Sequence, residues 1–185
     1  MRVAAGPAGS MTVSLDPDEA VALAGWVTQI GDLVTPEELT SDDPLAAMVG
    51  IDTTPQRPHD PAVRRLFPDA YRDDDEAATE FRRYTEHDLR QRKHDQAALV
   101  LEGLRTVQDR GEVTLTAQDA RAWVGSLNDL RLVLASRLGI EDEDDAAALE
   151  AWPADDDPAG PMVVAYHWLT YLQGTLVESL QPGHP

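Results

Sequence analysis

Cysteine is absent from the 185 residues. That excludes a disulfide framework, a thiolate nucleophile and a thiolate metal site. It also excludes a thiol redox switch, which needs a thiolate that passes reversibly to a sulfenic acid or disulfide. Long apolar runs are absent too: no window approaches the roughly 18 residues of a membrane-spanning helix. The first ten residues carry one arginine and then Ala, Gly and Pro, without the apolar stretch of a signal peptide. Cytoplasmic placement with no membrane partner is the resulting expectation. Positive charge is scarce, with 15 Lys and Arg against 34 Asp and Glu and a formal net charge of −19. A field of that sign repels nucleic acid and anionic membranes.

Catalytic signatures are missing as well. No serine sits in a Gly-x-Ser-x-Gly elbow, and no glycine-rich phosphate loop follows a strand. The acidic runs contain no Asp-x-Asp-x-Asp-Gly calcium loop. His87 and His94 share a helix face, but a metal needs three or four ligands and no third is evident. We expect no metal, no cofactor and no catalytic residue. Glu80, Glu86 and Asp129 could furnish a carboxylate pair for acid–base work, so an enzyme built on them stays as an alternative. Charges this dense more commonly make ion pairs.

What is present centres on one stretch. Between Pro68 and Gly103 there is neither glycine nor proline. Asp73 or Asp74 can cap a helix start, Asp75 and Glu76 suit its positive end, and Gly111 supplies a stop. The spacing predicts one helix of roughly 35 residues. At about 100° per residue, Ala78, Leu89, Gln96, Val100, Leu104 and Val107 form one stripe. Arg82, Glu86 and Lys93 fall within roughly 60° of its centre. Charges so placed must be paired, lie in a wet cleft or meet a partner.

The rest reads as a mainly α, single-domain fold with a minimal two-stranded β ladder. Residues 1–10 and 182–185 read as flexible tails around one helical domain, 11–181. Thr12–Leu15 and Glu112–Leu115 alternate polar and apolar residues and should pair with each other. Asp16-Pro17-Asp18-Glu19 starts a helix whose apolar face is Ala20, Leu23, Val27, Ile30 and Val34. Thr35–Glu38 repeats the start signal, Asp42-Asp43-Pro44 opens a short helix to Val49, and Gly50–Pro61 is loop. A helix from Ala117 to Leu138 presents Ala120, Trp123, Leu127, Leu130, Leu134 and Leu138. Residues 140–160 form an acidic, solvated excursion. A last helix follows, with Met162, Ala165, Leu169, Leu172, Leu176 and Leu180 on one face.

The candidate site is polar: Arg82, Arg83, Glu86, Arg90 and Lys93 on the long helix, with Asn128, Asp129 and Arg131 on the next. It reads as a half-buried network that sets helix register, above all for Glu80, Glu86, Asp129 and Arg131, or as a polar groove for a peptide or an anion. Arg83, Arg90 and Arg92 lie nearer the other face and read as solvated surface or as a partner surface. Arg131 lies within about 40° of the Leu127 direction, so it should be partly buried and bonded to Glu86 or Glu80. Of the methionines, Met1 and Met11 fall in or beside the expected tail, where oxidation should matter little, so any response to peroxide should be slow and map to Met162 or Met48.

Three segments carry a family resemblance. They are Leu66-Phe67-Pro68-Asp69-Ala70-Tyr71 through Glu80–Glu86 and Asp88-Leu89-Arg90, then Leu127-Asn128-Asp129-Leu130-Arg131-Leu132, and Trp168-Leu169-Thr170-Tyr171-Leu172-Gln173. Together they resemble the actinobacterial AosR family of oxidative-stress transcriptional regulators, formerly a domain of unknown function. The resemblance implies a regulator acting in transcription by protein–protein contact, with a sigma factor or another transcription component as partner. It supplies no catalytic residues. The rival expectation is direct DNA binding through Arg64, Arg65, Arg83, Arg90, Arg92 and Lys93, which the net charge disfavours.

Overall fold

The computed structural model describes residues 2–6, 10–36, 51–52, 55–149 and 157–181. Among these, six helices pack with a three-stranded antiparallel sheet. In chain order the elements are β1 (Arg2–Ala5), β2 (Met11–Ser14), α1 (Pro17–Val34), α2 (Pro61–Leu66), α3 (Asp75–Arg110), β3 (Glu112–Leu115), α4 (Ala117–Arg137), α5 (Glu143–Ala148) and α6 (Gly160–Ser179).

The central helix forms as its sequence predicts. Asp74 is the cap, its side chain accepting from the Ala77 amide at 2.9 Å. After thirty-six helical residues Gly111 ends the helix at φ +82°, a left-handed conformation that glycine adopts without strain. One face of α3 buries Ala78, Ala97, Val100, Leu104 and Val107, with Arg82 among them. The start of α1 is held by the Glu19 carboxylate, which accepts from the Asp16 amide at 2.9 Å. All five residues of its expected apolar face are buried. The principal core lies where α1, α3, α4 and α6 meet under the sheet, with Trp123 its largest fully buried side chain.

Two expectations need correction. The ladder has a third strand: Arg2–Ala5, expected as flexible tail, pairs with β2 in the register Arg2↔Ser14 to Ala5↔Met11. The expected β2–β3 pairing forms, from Met11↔Leu115 to Ser14↔Glu112. Met11 is therefore a core residue, 2% exposed, and not part of a tail. Second, the described part of the acidic excursion is anchored. It contains the short α5, and Ile140 and Leu149 are buried with Ala135 and Val163 in a second apolar cluster. On α6 that cluster takes Val163, while the expected Met162 is only half-buried. The short helix expected from Asp42 to Val49 and the tail at 182–185 lie outside the described residues.

Candidate functional site

The charged residues of α3 separate into distinct networks. Arg82 is 8% exposed and donates to Asp69 Oδ1 at 2.6 Å, while its other terminal nitrogen bonds Glu86. Arg57 reaches the second oxygen of Asp69 at 2.8 Å, and Arg90 Nε reaches the second oxygen of Glu86 at 2.9 Å. The result is a ladder of alternating sign, Arg57–Asp69–Arg82–Glu86–Arg90. It ends where the Arg90 guanidinium lies 4.4 Å from the Phe67 ring centre and donates to the Leu33 carbonyl at 3.4 Å. Burial opposes the charge on Arg82, but the bonds and fields of Glu86 and Asp69 outweigh it and raise its pKa. One network thus clamps the α2–α3 connection and the end of α1 onto α3.

A second pair joins α3 to α4. Lys93 Nζ lies 2.5 Å from Asp129 Oδ1, and the Asp129 side chain is 4% exposed. Burial pushes the Asp129 carboxyl above its ordinary value of 3.8, and the Lys93 bond and charge only partly offset that push.

A third network joins α4 to α6 and corrects the expectation for Arg131. Its partners among the described residues are neutral, not Glu86 or Glu80. Arg131 Nε donates to Thr170 Oγ1 at 2.9 Å, Nη1 to Gln173, and the guanidinium lies 5.4 Å from the Tyr166 ring centre. Gln173 in turn faces Asn128 Oδ1 at 3.5 Å and the Val124 carbonyl at 3.4 Å. Arg131 is half-buried, as expected.

Arg83 stands apart, 3.8 Å from the exposed Glu80 carboxylate and 5.5 Å from the Tyr84 ring centre. The structure therefore unites Arg82, Glu86 and Arg90, Lys93 with Asp129, and Asn128 with Arg131, but does not merge all eight. Arg90, expected on a solvated face, is instead 13% exposed because Glu86 and Phe67 hold it inward. Glu86 and Asp129 are held by different cations and Glu80 is solvent-facing, so the three carboxylates form no common centre. Among the described residues no three metal-ligating side chains converge, and no helix is long and apolar enough to cross a membrane.

The sequence reading did not single out Asp69, Arg57, Tyr166, Thr170 or Gln173 as members of these networks. Spacing of four residues marks Arg82–Glu86–Arg90, but no local rule brings Asp69 to Arg82 across a turn. Also outside that reading is an exposed aromatic group over the first turns of α3. Tyr71, Phe81 and Tyr84 are about half exposed, and Tyr71 meets Phe81 edge-on at 6.2 Å.

The family model described as a domain of unknown function, DUF2017, matches residues 1–180. The oxidative stress regulator AosR of Mycobacterium tuberculosis is 36% identical over 180 residues, covering 89% of this chain and 79% of the relative. The chain belongs to the AosR family. The Mycobacterium bovis protein of the same name shows the same identity and coverage, and a Mycobacterium leprae relative is 34% identical over 179 residues. No solved structure matches.

Proposed function

We propose that this chain is a non-enzymatic regulator in transcription that acts by binding another protein, a sigma factor or another transcription component. The observation that carries the reading is the aromatic group of Tyr71, Phe81 and Tyr84. Exposed aromatics on a fixed support are the usual anchors of protein interfaces. The support here is rigid, because the same turns of α3 are held from below by Asp69, Arg82 and Glu86. Two further points favour the reading. Relatives are named as oxidative stress regulators, and Arg90 and Lys93, which direct DNA binding would need, are engaged in internal pairs.

The test is capture of partners from an extract of the native organism with the tagged chain, then affinity measurement with the purified partner. The double variant Phe81→Ala/Tyr84→Ala should weaken binding at least about tenfold and leave the melting temperature unchanged. Full affinity in that variant overturns the interface, and salt-steep binding of DNA by the wild-type chain overturns the mode of action.

A further inference from the structure

A second feature lies on the other side of Asp69. A cleft of about 560 Å³ opens between α2, the α2–α3 connection and the turn after α4. Its charged lining is Arg57, Arg64, Arg65, Arg72, Asp69 and Glu141, four cations against two anions. That local excess stands out in a chain of net charge −19. We propose that this cleft binds a small ligand carrying a phosphate or diphosphate group.

Three observations carry the assignment. The first is availability. Arg64 and Arg72 have no side-chain hydrogen bond or ion pair among the described residues, whereas Arg82, Arg90 and Arg137 are all paired. Arg57 is 61% exposed and bound through one nitrogen to Asp69. The second is a fixed frame. Arg65 Nη2 donates to the Ile140 carbonyl at 2.5 Å, tying α2 to the turn after α4. Arg137 forks onto both oxygens of Asp60, at 2.9 and 2.6 Å, just before α2. Asp69 is held from behind by Arg82. The third is size, since the volume falls within the range of small-ligand pockets.

The chemistry then selects the ligand. Guanidinium forks match the paired oxygens of phosphate. Two unpaired arginines, with Arg57 beside them, call for a ligand of more than one negative charge, so a single carboxylate would leave cation uncompensated. Glu141 in the lining is an acceptor suited to hydroxyl groups on the remainder of such a ligand.

Titration of the full chain with inorganic pyrophosphate, at ionic strength fixed with sodium chloride, tests this by calorimetry and amide NMR. We expect saturable 1:1 binding, at least tenfold tighter than inorganic phosphate. Arg64→Gln/Arg72→Gln should lose at least tenfold while melting like the wild type, and Arg64→Lys/Arg72→Lys should recover only part. Arg92→Gln, on the exposed side of α3, should bind normally. The proposal is overturned if pyrophosphate does no more than chloride, or if Arg92→Gln weakens binding as much as the cleft variant. It is also overturned if a glutamate-rich peptide occupies the cleft and pyrophosphate does not displace it, which would make this a docking site for an acidic protein segment. The titration uses the purified chain alone, so its failure leaves the partner reading standing, and failed partner capture leaves this one.

Discussion

Asp129 holds Lys93 at 2.5 Å, yet its carboxyl titrates above its ordinary value of 3.8 because the loss of water on burial outweighs the lysine. The consequence for stability has a definite sign. A carboxyl with a raised folded-state pKa holds its proton more tightly in the native state, so stability falls as pH rises through 3.8 toward the folded value, then levels. Asp60 acts in the opposite direction. The Arg137 bond lowers its pKa, so its contribution is present above 3.8 and fades as pH falls. Melting temperature against pH, compared between wild type and Asp129→Asn, isolates the Asp129 contribution, and the variant should lose that fall. Lys93→Met should shift it to higher pH, checked by carboxyl carbon NMR of Asp129. Arg82 gives a larger effect. Arg82→Met leaves Asp69 and Glu86 facing an apolar side chain and should cost on the order of 3 kcal/mol in urea unfolding. Arg82→Lys should recover little, since one ammonium does not span two carboxylates as a fork does. The pairing of Arg82 was legible from its place on an apolar stripe. The partners of Arg131 were not, because a charged residue on such a stripe points to a counter-charge and Thr170, Gln173 and Tyr166 carry none.

At the scale of elements, α3 and its ends were the most legible, since a long stretch free of glycine and proline, with acidic residues before it and Gly111 after, permits little else. β1 was hidden. Arg2-Val3-Ala4-Ala5 lacks the polar–apolar alternation of a strand, and its order comes from the edge that β2 offers it. The α3–α4 contact shows a further constraint that composition conceals. Gly103 lies against the Trp123 ring, and a Cβ built there would sit 2.8 Å from Cζ2. Alanine at an exposed helical glycine stabilises by roughly 0.5–1 kcal/mol. At Gly103 the sign should reverse, with Gly103→Ala costing about 1–3 kcal/mol by overpacking. Thermal melting measures the loss, and the Trp123 contribution to near-ultraviolet circular dichroism should change with it. A gain in melting temperature would show that the ring can move aside.

Across the whole molecule, the absence of cysteine leaves methionine as the oxidation site comparable to a thiol. Diamide should leave partner binding unchanged when the partner also lacks thiols. Peroxide should act slowly, because Met11 is 2% exposed, and its sulfoxide would place a polar group in the core. Intact mass and melting temperature should change together, and Met11→Leu should remove most of the loss. The sheet that buries Met11 has a second consequence, for synthesis. β2 is the middle strand, and its partner β3 lies about a hundred residues further along the chain. At roughly 5–20 residues per second, about 5–20 seconds separate the two strands at the ribosome. During that interval the first hairpin is marginal by itself, and one edge of β2 is open to pairing with other chains. A chain cut after Arg110 would lack β3 and leave that edge of β2 without its partner.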